Sequence, residues 1–472
     1  MFKIKLDDTI VAISTPVGEG GIGIVRLSGK DAVKIADKIF VSKDGERPST
    51  FKTYTVHYGH IVERKLPKAR KRGKIVDEVI LTIMRAPRSY TKEDVAEINC
   101  HSGIVPLRKI LDLCLKNGAR FAEPGEFTKR AFLNGRIDVA QAEAVIDIVR
   151  SKTELSLRSA INSLSGRLSK KINEVRDELV SILAHMEALI DFSEEEDTNT
   201  LQKRDILNRL KKIDKEIESF LSSSEHGRIL RQGVRTVICG SPNVGKSSLM
   251  NALLKESRAI VTHIPGTTRD TIEELINIKG IPLVLVDTAG ITASGDIVEK
   301  EGIKRSHFSI ENADMILLVL DYARKLKKTD RDIISKIKHR DNIIIVSNKH
   351  DLKKRIDINR VKRLLPRKSI VFLSALKSQG IDKLEKKIID AVFKGKAPSA
   401  EYVGLSNDRQ LFSLRASSID IKEAIESLKN KVSLEFITIY ARSAIENIGK
   451  ITGHSITEEA LDKIFAEFCV GK

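Results

Sequence analysis

At 472 residues the chain can hold two to four domains, each with its own core. Lys and Arg (82) outnumber Asp and Glu (64), and the formal net charge of +18 points to a polyanionic partner, with a Lys- and Ile-rich composition supplying part of the excess. The four cysteines (Cys100, Cys114, Cys239, Cys469) lack metal-ligand spacing, the first residues include Asp7 and Asp8, and no apolar run could span a bilayer. A disulfide scaffold, a secretory signal and a membrane protein are therefore excluded, and a cytoplasmic protein is expected.

Residues 1–135 mix short β-like runs, at 10–13 and 22–27, with helical stretches and read as an α/β domain. Residues 18–23 match G-x-G-x-x-G, but the segment after them is strand-like, whereas that fingerprint must open a helix. The dense basic run at 65–74 contains Pro67 and Gly73 and reads as a solvated loop. From 136 to 227 glycine is sparse, and Leu179, Ile182, Leu183, Met186, Leu189 and Ile190 recur at helical spacing. The polar stretch 193–199 reads as a break between helices.

Residues 228–396 contain the most specific motif. Gly240-Ser241-Pro242-Asn243-Val244-Gly245-Lys246-Ser247 follows an apolar strand pattern and precedes a helical one that opens at Ser248. In that context the glycines let backbone N–H groups face phosphate oxygens, Lys246 reaches the β- and γ-phosphates, and Ser247 ligates Mg²⁺. A buried strand at 281–286 then ends in Asp287-Thr288-Ala289-Gly290, where a carboxylate can hold Mg²⁺ through water and the Gly290 N–H can sense a γ-phosphate. Another, at 342–347, ends in Asn348-Lys349-His350-Asp351, and the Asp351 carboxylate can accept both N–H groups of a guanine edge. A third strand end, Ser374-Ala375-Leu376, can close over the base. The order of these motifs looks like the Ras-type GTP-binding domain. Residues 397–472 return to long helices and end in Phe468-Cys469-Val470-Gly471-Lys472. The fold class expected is α/β plus all-α: an N-terminal α/β domain, and a Ras-like GTPase domain inserted into a discontinuous helical domain.

In Ras-type proteins a glutamine after Asp-x-x-Gly orients the attacking water; here that position is Ile291, which cannot. Glu299 is the carboxylate offered downstream, either to position water or simply as a solvated helix-start residue. Asn243 can place its amide oxygen by a monovalent cation beside the phosphates, so that K⁺ replaces an arginine finger, or it can merely tolerate an unusual loop dihedral. Arg269 and Arg305 are the reserve fingers. Switch I falls at 261–270, where Thr268 would complete the Mg²⁺ shell.

Taken together, the sequence resembles the MnmE-type (TrmE-type) tRNA uridine-modification GTPases over almost its whole length. The resemblance rests on residues 8–12, 20–29, 89–94, 124–135 and 138–144, the GTPase motifs, and the terminal Phe-Cys-Val-Gly-Lys. It implies residues 1–135 as a folate-binding and dimerisation domain, 136–227 and 397–472 as the two parts of the helical domain, and 228–396 as the GTPase. It implies a GTP-hydrolysing enzyme, activated by K⁺, that installs an aminomethyl or carboxymethylaminomethyl group at carbon 5 of wobble uridine in tRNA. A homodimer would act with an MnmG-type (GidA-type) flavoprotein carrying FAD, and would use a tetrahydrofolate derivative in its 5,10-methylene or 5-formyl form.

The implied folate contacts are Arg26, Glu93, Arg136 and Lys472. The implied K⁺ ligands are Asn243, Thr262, Ile264 and Thr267, the latter three chiefly through backbone carbonyls. His263, Pro265 and Gly266 complete the GTP-binding switch segment, and Glu299 falls at the family's catalytic glutamate. Cys469 is either a reactive thiol near the folate or a packed, inert one. The chain departs from the family at Lys92, where Gly is usual before Glu-Asp, at 100–103, and at Thr292, where Arg is frequent. The competing class is a ribosome-assembly GTPase acting as an RNA-binding switch, though the carboxyl side here is helical rather than an RNA-binding domain. A membrane-remodelling GTPase finds no lipidation box around Cys469.

Overall fold

The structure is a computed structural model that describes residues 7–63, 73–191, 196–256, 273–286, 309–393 and 404–472. It divides into two compact units, Met1–Ile146 with Glu446–Lys472, and Asp147–Ile445.

The first unit is built on a seven-stranded sheet with the order β3-β4-β5-β6-β2-β1-β7. Its strands are β1 Ile10–Ile13, β2 Gly20–Ser28, β3 Phe40–Ser42, β4 Thr55–Glu63, β5 Lys74–Met84, β6 Val95–Ser102 and β7 Arg120–Phe121. Neighbours are antiparallel except β1 and β7. Alternation assigns the two faces. Val25 and Leu27 of β2 point into a core with Leu81, Ile98 and the helices Ala32–Ile39 and Ile104–Lys116. Fully burying each such side chain is worth about 1.5–3 kcal/mol. The residue between them, Arg26, therefore faces the other side, where Ile10, Ala12, Ala122 and Phe127 form a small second cluster with Tyr90 packed against it. Strand β2 begins within residues 18–23 and continues beyond them, so no helix opens there, as the sequence pattern indicates.

The chain end belongs to this unit. Phe465 and Phe468 pack with Ala131, Val139 and Ile146. Gly471 lies in the left-handed region (φ 92°), and a Cβ there would stand 2.5 Å from the Ile13 carbonyl oxygen. Only glycine permits so close an approach of the terminal segment to β1.

The second unit holds long helices, including Glu154–Leu164, Arg167–Asp191, Glu196–Gln232 and Asp408–Lys429, and a six-stranded sheet. The polar stretch 193–199, expected to break the helices, differs at its described residues. Glu196–Asn199 are already helical, and neither Gly nor Pro interrupts the run from there to residue 226. Thr153 and Ser156 form a capping box at the start of Glu154–Leu164.

The sheet has the order β13-β12-β11-β8-β10-β9, from strands β8 Val234–Cys239, β9 Glu273–Ile278, β10 Ile281–Val286, β11 Met315–Asp321, β12 Ile343–Asn348 and β13 Ser369–Phe372. All pairs are parallel except the β9–β10 hairpin. Helices cover both faces, so β10, β11 and β12 are buried at every position, which is why they read as unbroken apolar runs. β8 lies between β10 and β11, so the connection from β10 to β11 carries the chain from one side of β8 to the other, and the crevice at the carboxyl end of such a switch strand is where ligands bind in open α/β sheets.

Candidate functional site

The phosphate loop occupies that crevice. It leaves β8 at Gly240 and enters the helix Lys246–Glu256 directly. Gly245 is left-handed (φ 93°), and a Cβ there would collide with the Asn348 amide. Asn243 is also left-handed (φ 63°), a conformation that Asn tolerates better than most residues, so its backbone role is accounted for. Val244 is buried, while Ser247 and Ser248 are exposed in the first helical turn, open to a ligand at the helix N-terminus. The Lys246 ammonium donates to the carbonyls of Gly240 (2.9 Å) and Ser241 (3.2 Å), which sets the charge inside the loop.

The loop is gripped from the strands beside it. The Asn348 amide donates to the Val244 carbonyl (2.9 Å) and its oxygen accepts from Ala375 N–H (3.0 Å), tying the strand ends at Asn348 and Ala375 to the phosphate loop. Lys349 donates to the Asn243 carbonyl (2.8 Å) and to Asp321 (2.7 Å) at the end of β11. The buried Ser241 hydroxyl donates to the buried Asp330, which also accepts from Arg324. Sequence reasoning missed the roles of Asp321, Asp330 and Ser241. The available signal was a carboxylate closing the apolar run of β11.

Asp351 is kept ionised. The Ser374 hydroxyl, then the nearby Lys377, hold its carboxyl below the usual 3.8. Behind it, His350 packs between Tyr322 and Phe372. Leu376 is 85% exposed at the rim, free to lie over a base. Thr262, His263, Ile264, Pro265, Gly266, Thr267, Thr268, Asp287, Thr288, Ala289, Gly290 and Glu299 lie outside the described residues. So does the basic run at 65–72.

In the first unit, a second group of candidate residues meets on the sheet face bearing Arg26. Arg26 pairs with Glu97 directly across β2 and β6 (2.7 Å), donates to the Gly471 carbonyl (3.2 Å) and lies 5.6 Å from the Phe127 ring. Arg136 lies over the Tyr90 ring at 4.7 Å. Glu93 accepts from the Ser28 hydroxyl (2.7 Å) and from Arg130 (3.1 Å). Lys472 follows Gly471, and its N–H closes a turn onto the Cys469 carbonyl (3.3 Å). Cys469 is exposed, whereas Cys100, Cys114 and Cys239 are buried and pushed up to about 11, 12 and 12 by that burial.

Beneath this face lies an ion network whose residues fall in recognisable motifs but whose role the sequence alone does not assign. The Arg130 guanidinium is fully buried and donates to Asp8, Glu93 and Glu126. Arg120 bridges Asp8 and Glu126 (2.8 and 2.6 Å). Burial pushes the Asp8 and Glu126 carboxyls up, but the hydrogen bonds from the two arginines outweigh it and hold both below their ordinary values. Two cations thus serve three carboxylates. Glu93 has one guanidinium partner where the others have two, so it retains acceptor capacity for a ligand carrying N–H donors.

Among the described residues no helix is long and apolar enough to cross a membrane, and no cluster of three or more His, Cys, Asp or Glu could hold a metal ion.

Known proteins can be set beside this geometry. The family model described as the MnmE helical domain matches residues 139–469, and that of the GTP-binding protein TrmE N-terminus matches 9–136. The tRNA modification GTPase MnmE of Geobacillus kaustophilus (strain HTA426) is 48% identical over 465 residues, covering 98% of this chain and 99% of that protein. Its namesake in Bacillus subtilis (strain 168) is 46% identical, covering 98% and 100%. Among solved structures, a point variant of Aquifex aeolicus Era bound to GDP·AlF4⁻ is 27% identical over 40% of this chain and 66% of that one, with a TM-score of 0.29. With both family models matched and identity sustained from end to end, the chain belongs to the MnmE family of GTPases.

Proposed function

We propose that this protein is the GTP-hydrolysing component of a tRNA wobble-uridine modification system. The observation that carries the reading is the joint presence, in one chain, of two braced groups of candidate residues. One is a phosphate loop held by the strand end at Asn348, which would read guanine. The other is a polar face on the N-terminal sheet to which the terminal Gly471 is fastened through Arg26. The near full-length kinship to tRNA modification GTPases supports the same reading.

In the nucleotide site, Gly245, Lys246, Ser247 and Ser248 would receive the phosphates, with Ser247 and Thr268 on Mg²⁺. Asn243, Thr262, Ile264 and Thr267 would hold K⁺, which supplies the positive charge that an arginine finger supplies elsewhere. The exposed Asn243 side chain on a loop whose backbone is fixed by Lys349 fits that role. Glu299 would orient the water that attacks the γ-phosphate, and Asp351, held ionised, would select guanine.

In the N-terminal site a tetrahydrofolate derivative would donate the one-carbon unit. The partly served Glu93 fits the N–H-rich edge of a pterin, and Arg136 and Lys472 fit the carboxylates of its glutamate tail. A homodimer working in the cytoplasm with an FAD-bearing flavoprotein completes the proposal, as do the domain limits at 135, 227 and 396.

The deciding experiment is mass spectrometry of tRNA nucleosides from cells with and without the gene. Loss of aminomethyl- or carboxymethylaminomethyl-uridine at the wobble position is expected. An unchanged profile in cells that normally contain the modification sinks the proposal and leaves a ribosome-assembly GTPase. Turnover of GTP should be markedly faster in K⁺ than in Na⁺, and equal rates would remove the cation role of Asn243.

A further inference from the structure

The charge of this chain is not spread evenly. Residues 324–368 carry seventeen Lys and Arg against five Asp and Glu. Three of those five acids are engaged locally: Asp330 is buried against Ser241 and Arg324, Asp351 lies beside Lys377, and Asp357 caps the following helix at Arg360 N–H. Arg324 and Lys349 are paired with Asp330 and Asp321, but six other cations are not so occupied. Arg355, Arg360, Lys362, Arg363, Arg367 and Lys338 are all exposed, and among the described residues none of the six side chains makes a salt bridge.

The fold gathers them on one side. Helices Lys328–Ile337 and Ile358–Leu364 are the crossovers after β11 and β12. Ile334 and Ile337 of the first, and Val361 with the flanking Ile356 and Leu365 of the second, share one core with Ile316, Leu318, Ile343 and Ile345. Both helices therefore lie on the same face of the sheet, and their solvent sides look the same way. Leu317, Val319, Ile344 and Val346 point into the opposite core, with the helix Ile381–Phe393. The loop carrying Arg355 joins this face to the nucleotide rim, since Arg355 N–H donates to the Tyr322 carbonyl (2.9 Å) at the end of β11.

We propose that this face, formed by helices Lys328–Ile337 and Ile358–Leu364, is an RNA-docking surface that holds the phosphate backbone of the tRNA. The assignment rests on the tRNA-modification reading above and names a contact surface that reading does not supply. Four of the six cations are arginines, whose planar forks match phosphate oxygens in pairs. Arg360 and Arg363, three apart on one helix, stand about 5–6 Å from each other and can meet one strand together. A membrane surface would ask for an apolar face on the same helix. Here Val361 is turned into the core instead.

The test is binding of the full-length protein to an unmodified tRNA transcript with uridine at the wobble position, by fluorescence anisotropy across a KCl series. The triple variant Arg360→Ala/Lys362→Ala/Arg363→Ala should raise Kd by about tenfold or more near 0.15 M salt, and should lower the slope of log K against log [salt] by about 2. Its GTP turnover without RNA should match the parent's, which also reports that the domain is folded. The double variant Arg360→Lys/Arg363→Lys should retain most of the salt slope. A control triple on another exposed basic stretch, Lys211→Ala/Lys212→Ala/Lys215→Ala, should leave affinity within about twofold.

Equal affinity and slope for the parent and the first triple would overturn the surface alone. An equal loss in both triples would overturn it as well, because only net charge would then matter. If the first triple instead loses binding to phosphatidylglycerol vesicles while tRNA binding stands, the face serves a membrane and the proposal is wrong. A parent protein that binds no tRNA would bring down the modification reading along with it.

Discussion

The two sheets carry their sites in different ways. In the nucleotide-binding sheet the described ligand-facing groups sit on loops at strand ends, and short motifs bring their own neighbours: Asn348 reaches Val244, and Lys349 reaches Asn243. In the N-terminal sheet the groups come from the ends of the chain. Arg26 contacts Gly471 across 445 residues, and Arg130 contacts Asp8 across 122. A site of the first kind depends on local backbone form and on a few fixed charges. A site of the second kind depends on long-range closure around a buried ion cluster, and is sensitive to anything that unbalances it.

The largest effect should therefore come from Arg130. Arg130→Met removes the one guanidinium shared by three carboxylates, and breaking a buried pair this way costs about 3–5 kcal/mol. Urea unfolding followed by circular dichroism should show that loss in the N-terminal unit, with GTP turnover intact. A loss below about 1 kcal/mol would mean that the cluster is not what closes the site. The same network predicts acid sensitivity. Asp8 and Glu126 are held below 3.8 and 4.5, so the stability they add is present above about pH 4.5 and is lost as pH falls through their lowered folded values. Thermal midpoints should fall steeply below about pH 4 in the parent and less steeply in Glu126→Gln.

The nucleotide sheet should answer to single residues instead. On the proposed role of Asp351, Asp351→Asn should forfeit two charge-assisted hydrogen bonds to guanine, cost roughly 10²-fold in GTP affinity and shift preference toward xanthine nucleotides. Retained GTP selectivity in competition binding would mean that another residue reads the base. Glu299→Ala should lower kcat by about 10²-fold or more, at least about 2.7 kcal/mol, with GTP affinity nearly unchanged. Unchanged turnover would exclude Glu299 from positioning water.

How much of this was legible follows from the same contrast. The phosphate loop, the strand ending in Asn348 and the buried strands could be read because each motif and its structural context are contiguous. The grip of Asp330 on Ser241 could not, since it joins residues 89 apart and depends on which face a crossover helix presents. Arg26 and Glu93 were named through resemblance, not periodicity. Nothing local in β2 says that Arg26 will meet a carbonyl at the chain's other end. Arg130 was invisible for a further reason: an arginine in an amphipathic helix ordinarily reads as solvated, and only the tertiary fold reveals three carboxylates around it.

The smallest predicted effect tests whether a departure from the family pattern is strain or substitution. Lys92, which the family resemblance marks as a departure from Gly, has φ 59°, a left-handed conformation that disfavours a side chain by about 1–2 kcal/mol. Its ammonium donates to the Gly135 carbonyl (2.9 Å), beside Arg136 and one residue before Glu93. Lys92→Gly relieves the backbone but loses that bond and adds about 0.4–1 kcal/mol of unfolded-chain entropy. The expected net change in unfolding free energy is within about 1 kcal/mol of zero, because the two effects oppose each other. A gain of about 2 kcal/mol or more in urea titration would mean that the lysine contributes strain alone. A comparable loss would make the Lys92–Gly135 bond a true clasp of the Glu93 loop, and would bring this local feature into the long-range closure that distinguishes the N-terminal sheet.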